Sequence, residues 1–113
     1  MKRLATAALI LASLVLAQAA PKATATVAQI RAKPVNSQKV ILSGQIVSRS
    51  GDTAYRFADS TGEVGVGSRQ RLELPLGAKV TLEGQVDLDP LGGLEVNLLR
   101  VWLPDGRVLV VPR

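Results

Sequence analysis

The sequence predicts an all-β protein: a small closed barrel of five antiparallel strands, with a short helix ahead of it and an extra strand behind. Three observations carry that prediction. From Lys39 onward apolar residues recur at every second position, in short runs separated by turn residues. Two of those runs are interrupted mid-strand by a glycine, Gly44 and Gly84, which lets a sharply coiled strand bend without a Cβ clash. No long helical pattern occurs anywhere in the barrel region, so the strands must close on themselves to bury their apolar faces.

The elements follow in order. Lys2 and Arg3 form a basic start, Leu4 to Leu16 is an apolar run of thirteen residues, and Ala17-Gln18-Ala19 places small residues before a cleavage point. Residues 1–19 therefore read as a secretory signal peptide. A membrane anchor is the alternative, but the run is short of the roughly 20 apolar residues that span a bilayer. No stable membrane insertion is expected after cleavage, and without cysteine there is no lipoprotein anchor. The mature chain would begin at Ala20. Residues 20–38 read as a leader with a short helix. Thr26 caps Val27–Ala32, Val27 and Ile30 lie on one edge, and Pro34 stops the helix.

Residues 39–113 form the barrel domain. Val40, Leu42, Gly44 and Ile46 share one face of the first strand, and Ser48 to Thr53 reads as a turn. Tyr55 and Phe57 share a face of the second strand. Asp59-Ser60-Thr61-Gly62 is a tight connection, with Gly62 available for positive φ, and Val64 and Val66 line the third strand. Arg69 to Gly77 is irregular, since Pro75 excludes a long helix there. Lys79 to Asp87 alternates cleanly, as a half-buried antiparallel strand does. Asp89 to Gly93 is a loop. The fifth strand starts on the phase of Leu94, Val96 and Leu98, then slips to Leu99, Val101 and Leu103, which predicts a β-bulge near Leu98. Pro104-Asp105-Gly106 turns the chain into a sixth strand, Arg107 to Val111. Paired with the fifth strand, it gives a monomer; paired with its own copy, a dimer. The turn favours the monomer, because it already supplies a partner strand.

Composition narrows the chemistry. The 113 residues contain no cysteine and no histidine. That excludes disulfides and thiolate zinc sites, and it removes the commonest metal ligand and the commonest general base. Charge is uneven: residues 22–71 carry eight Lys/Arg against three acids, and residues 72–113 carry four against six. A basic side and an acidic side are expected.

The order of these motifs resembles a known family. A short capped helix is followed by Val40-x-Leu42-x-Gly44-x-Ile46, then Tyr55-x-Phe57-x-Asp59-x-Thr61-Gly62-x-Val64. It ends with Val80-x-Leu82-x-Gly84-x-Val86-Asp87-x-Asp89 and Glu95-Val96-x-Leu98-x-x-Val101. This is similar to the bacterial OB-fold (BOF) family of small periplasmic stress-tolerance proteins, the YgiW/YdeI type, over roughly Thr26 to Val101. The resemblance implies an OB-fold five-stranded barrel, a periplasmic or secreted location, no catalytic site, no cofactor, and the binding of a small or envelope-derived ligand. The chain departs from the family pattern at Gly67-Ser68-Arg69-Gln70-Arg71 and at Asp87-Leu88-Asp89, and it is basic where members are often acidic.

Candidate site residues fall in two groups. Arg56 and Asp59 stand on the second strand, and Asp87, Asp89 and Glu95 flank the loop between the fourth and fifth. The three acids offer oxygen donors that could converge on a cation, or solvated charges that keep a hairpin soluble. Arg49, Arg56, Arg69 and Arg71 form the alternative, a patch for phosphates or other polyanions. Nucleic acid is not the expected partner of an exported chain. The outward positions of the second and third strands, Ala54, Arg56, Ala58, Glu63, Gly65 and Gly67, include no aromatic on which a base can stack. Asp59-Ser60-Thr61-Gly62 resembles the Asp-Thr-Gly of aspartic proteases, with Ser60 inserted, but that chemistry needs two such carboxylates sharing a proton, and the chain has one such motif.

Overall fold

The computed structural model describes residues 19–111. All of the predicted signal peptide except Ala19 lies outside the described residues.

Helix α1 spans Val27–Ala32, as its sequence signals predict. Its first turn is closed by a capping box. The Thr26 hydroxyl accepts from the Gln29 N–H at 3.2 Å, and the Gln29 side chain accepts from the Thr26 N–H at 2.9 Å. A six-residue helix is not stable alone. It is held by burying Val27 and Ile30 and by Arg31, whose guanidinium donates to the Glu63 carbonyl.

Six strands follow: β1 (Lys39–Gly51), β2 (Ala54–Asp59), β3 (Gly62–Gly67), β4 (Lys79–Leu88), β5 (Leu94–Trp102) and β6 (Val108–Val110). Their order in the sheet is β3-β2-β1-β4-β5-β6, and an additional β3–β5 pairing closes the first five into the OB barrel. The closing pair differs from the all-antiparallel expectation. It runs parallel, through Gly65↔Glu95, Val66↔Val96 and Gly67↔Asn97.

The long β1 serves two partners. Lys39 to Gln45 pair with β4, and Gln45 to Gly51 pair with β2. At the handover sits Gly44. A Cβ there would overlap the Ala58 carbonyl oxygen and come within 2.8 Å of Phe57 Cζ, so only glycine fits. The strand also runs further than expected. Residues 48–51 are not a turn but part of β1, which absorbs them through irregularities between Ile46 and Ser48 and between Arg49 and Gly51. The phase slip in β5 is a bulge: Leu98 faces Gly84, Arg100 faces Glu83, and Leu99 is the extra residue. Gly62 is another difference. Gly77, Gly92 and Gly106 have positive φ but Gly62 does not; it opens β3, where its bare Cα lies against Val27.

Eighteen hydrophobic residues between Val27 and Val111 are buried and form one cluster, with no buried polar or charged residue among the described ones. Tyr55 and Phe57 are inside, at 2% and 0% exposure, so they are core and not a stacking platform. The core also includes Leu74, from the irregular segment between β3 and β4. The Tyr55 hydroxyl donates to the Leu72 carbonyl at 2.7 Å and accepts from the Leu74 N–H at 3.1 Å, pinning that segment over the barrel. At the C-terminal side β6 pairs with the second half of β5, and Leu103 and Val111 join the same core.

Candidate binding cleft

The turn between β2 and β3 is a clamp for the helix. One Asp59 carboxylate oxygen accepts from the Thr61 N–H at 2.8 Å and the Thr61 hydroxyl at 2.6 Å; the other accepts from the Val27 N–H at 2.9 Å. Thr61 Oγ1 in turn accepts from the Ala28 N–H at 2.9 Å. Two free amides of the first helical turn are satisfied from a turn more than thirty residues away in sequence. Partial burial pushes the Asp59 carboxyl up, but the hydrogen bonds from the Thr61 hydroxyl and from the Val27, Thr61 and Gly62 amides outweigh it. The group rests below the usual carboxylate range.

The other predicted acids do not gather. Asp87 and Glu95 face each other across β4 and β5. Asp89 turns into its own loop, accepting from the Leu91 N–H at 2.7 Å and the Gly93 N–H at 3.0 Å. Among the described residues no three His, Cys, Asp or Glu side chains are placed to hold a metal ion. Of the two readings of Asp87, Asp89 and Glu95, convergence on a cation is not what the hairpin builds: its register sets Asp87 opposite Glu95, but its turn draws Asp89 away into loop hydrogen bonds.

The arginines are divided as well. Arg49 and Arg71 meet at Glu73, at 3.2 and 3.4 Å, and Arg71 also approaches Asp52 at 4.0 Å. The Arg49 guanidinium lies 5.3 Å from the centre of the Tyr55 ring and donates to the Gly51 and Asp52 carbonyls. The hydrogen bond and charge of Arg49, with a smaller share from Arg71, hold the Glu73 carboxyl below its usual value. Arg56 lies across Gly65 and pairs with Glu63 at 3.5 Å. Arg69 stands apart, on the rim of a hollow of about 130 Å³ shared with Gln85 and Asn97. The four predicted arginines thus do not form one free basic patch: two are joined by a carboxylate and a third has its own.

A larger feature lies elsewhere. A cleft of about 730 Å³, within the range of small-molecule sites, opens between the N-terminal segment, β1, the end of β2, the start of β4 and the turn before β6. Three of its walls come from one row of the sheet. Ser43 pairs with Thr81, and Thr81 pairs with Trp102, so two hydroxyls and an indole lie side by side on the outer face. The hydroxyls are 3.2 Å apart. Pro104 and Leu103 extend the apolar wall, and Lys79 and Asp59 are its charged members. The opposite wall is the segment that includes Ala20, Ala23 and Ala25. It is tied to the free edge of β1 where the Thr24 N–H donates to the Ile41 carbonyl at 2.8 Å and the Ile41 N–H donates to Thr24 Oγ1 at 2.9 Å.

Of the predicted site residues only Asp59 lines this cleft. Trp102, the chain's single tryptophan, was not among them. The signal was present in the slipped phase of β5: with Val101 and Leu103 facing inward, Trp102 must face out. Its indole is half-buried, and its N–H donates to no described residue.

No protein-family model matches the chain, and no curated protein matches it. Solved structures do match. The hypothetical protein ygiW from E. coli is 23% identical, with a TM-score of 0.59, over 74% of this chain and 97% of that one. The OBody AM1L10 bound to hen egg-white lysozyme is 19% identical, with a TM-score of 0.62, over 77% of this chain and 96% of that one. At these identities the likeness is one of fold: the chain is an OB-fold barrel with one extra strand.

Proposed function

We propose that this protein is an exported, non-enzymatic OB-fold binding module of the BOF type, which takes up a small or envelope-derived ligand in the periplasm or outside the cell as part of stress tolerance. Its residues 1–19 are removed as a signal peptide, residues 20–38 form the leader and helix, and residues 39–113 form the barrel. The observation that carries the binding role is the cleft of about 730 Å³ with an indole on its wall whose N–H donates to no described residue. Aromatic bodies with a free polar edge are suited to holding a ligand that is partly apolar. A non-enzymatic role fits a sequence without histidine or cysteine, and an Asp59 whose carboxylate is committed to the helix. The fold is one that serves as a binding scaffold, as in the OBody bound to lysozyme. Among the described residues no helix is long and apolar enough to cross a membrane.

Two measurements test this reading. N-terminal sequencing of the chain from the periplasm should begin at Ala20; intact Met1 in a soluble cytoplasmic pool defeats the location. Native mass spectrometry of the mature chain after exposure to envelope extract should show a small adduct that Trp102→Ala loses. An adduct indifferent to Trp102→Ala defeats the cleft as its site.

A further inference from the structure

We propose that removal of the signal peptide completes the cleft as a site for a small ring-bearing anion, with the new Ala20 α-ammonium joining Lys79 as the second cation at its mouth. The inference rests on the cleft being a small-molecule site and on processing after Ala19.

The charge balance of the lining carries it. Lys79 makes none of the ion pairs or side-chain hydrogen bonds found among the described residues, so its charge is available. Asp59 is the one acid in the lining, and both of its oxygens already accept hydrogen bonds from the helix start and from Thr61. Before processing, the lining holds one cation against one anion. Cleavage adds a cation at Ala20, which borders the cleft. That residue is not a loose tail. Pro21 confines Ala20 to extended conformations, and Thr24 is fastened to Ile41 by two hydrogen bonds. The other charged groups nearby do not cancel the effect. Lys22 adds to it from the same segment, and on the turn before β6 Asp105 is paired with Arg107 at 2.8 Å.

The rest of the lining specifies the ligand's body. The indole of Trp102 with Pro104 and Leu103 gives a flat apolar wall for a ring, and the Trp102 N–H, Ser43 and Thr81 supply neutral polar groups beside it. A ring with a carboxylate-type anion satisfies both halves. In the precursor the same nitrogen is an uncharged amide and the chain runs on through it, so the site is incomplete until export is finished.

The test uses three probes with one ring: naphthoate, naphthamide and naphthylmethylammonium. Each is titrated by calorimetry into the chain beginning at Ala20, into the same chain acetylated at Ala20, and into Lys79→Gln, with Trp102 fluorescence reporting the cleft. Naphthoate should bind most tightly, and acetylation or Lys79→Gln should each weaken it roughly fivefold, the upper range for a single solvent-exposed ion pair. The α-amino group ordinarily titrates near about 7.7–8.0. Naphthoate affinity of the free-terminus chain should therefore fall as pH rises from about 7 to about 9, while that of the acetylated chain stays flat. Naphthamide binding as tightly as naphthoate, with no response to acetylation, overturns the anion site and leaves the cleft standing. Failure of all three probes to bind, with Trp102 fluorescence unchanged, overturns the cleft itself.

Discussion

Replacing Asp59 by alanine should detach the helix from the barrel. Its carboxylate accepts hydrogen bonds from the Thr61 amide and hydroxyl and from the amide of Val27, a residue with no solvent exposure. Hydrogen bonds to a charged group contribute about 1.5–3 kcal/mol, and stranding a buried amide costs about 1–3 kcal/mol. The two bonds from Thr61 are local and exposed, and water replaces them in the variant. What remains is the long-range bond, so the expected loss at neutral pH is about 2–3 kcal/mol, a large fraction of a small domain's stability. Asp59→Asn keeps the shape and one acceptor and should lose about half as much. The pH dependence has a definite sign. The folded-state value lies below the ordinary 3.8, so the stabilisation is complete above about pH 4 and is lost as pH falls through the folded-state value. Urea unfolding followed by circular dichroism, at neutral and at strongly acidic pH, measures both. The wild-type and Asp59→Ala stabilities should converge in acid. A neutral-pH loss under about 0.5 kcal/mol, the scatter of ordinary surface changes, would refute the clamp. So would a loss that persists undiminished in acid.

Three further outcomes are expected. Phe57→Ala should cost about 3–5 kcal/mol, the range for truncating a buried aromatic, read from chemical denaturation; a cost under about 1 kcal/mol would place the ring outside. Gly44→Ala should lower the melting temperature by the equivalent of at least about 1–3 kcal/mol through overpacking, while Gly65→Ala, whose added methyl would meet only the flexible end of Arg56 at 3.5 Å, should stay within about 0.5 kcal/mol of wild type. Deleting residues 104–113 removes Val111 from the core and should destabilise a monomer; by ultracentrifugation, a full-length dimer that becomes a stably folded monomer on truncation would contradict this.

The barrel was legible because its signals are local and periodic. The capped helix over Val27–Ala32, the alternation of Lys79 to Asp87 and the slip after Leu98 are each written in adjacent residues, and each appears where expected. The turn at Asp59 was legible only by half. Its bonds to Thr61 follow from short-range geometry, but its reach to Val27 depends on how the leader folds back, which no window of the sequence contains. The same holds for Leu74, which is buried from an irregular segment without periodicity. The division of the arginines was hidden for a related reason. Counting charges shows an excess, but not that Glu73 sits between Arg49 and Arg71. The cleft was missed because it is assembled from five separate stretches of chain, of which only Trp102 carries a recognisable side chain.

The division of β1 between two partners bears on how the chain comes into being. A strand whose first half waits for β4 and whose second half pairs with β2 cannot be satisfied by its near neighbours alone. The seam is later still, since β3 must find β5, some thirty residues on, in the parallel sense. A growing polypeptide can make the β1–β2–β3 meander early, but that meander keeps an open edge and a bare apolar face until nearly the whole sequence has been synthesised. Such dependence on distant pairings slows folding. It also leaves an interval in which the nascent chain is extended and its apolar side is available to whatever escorts it.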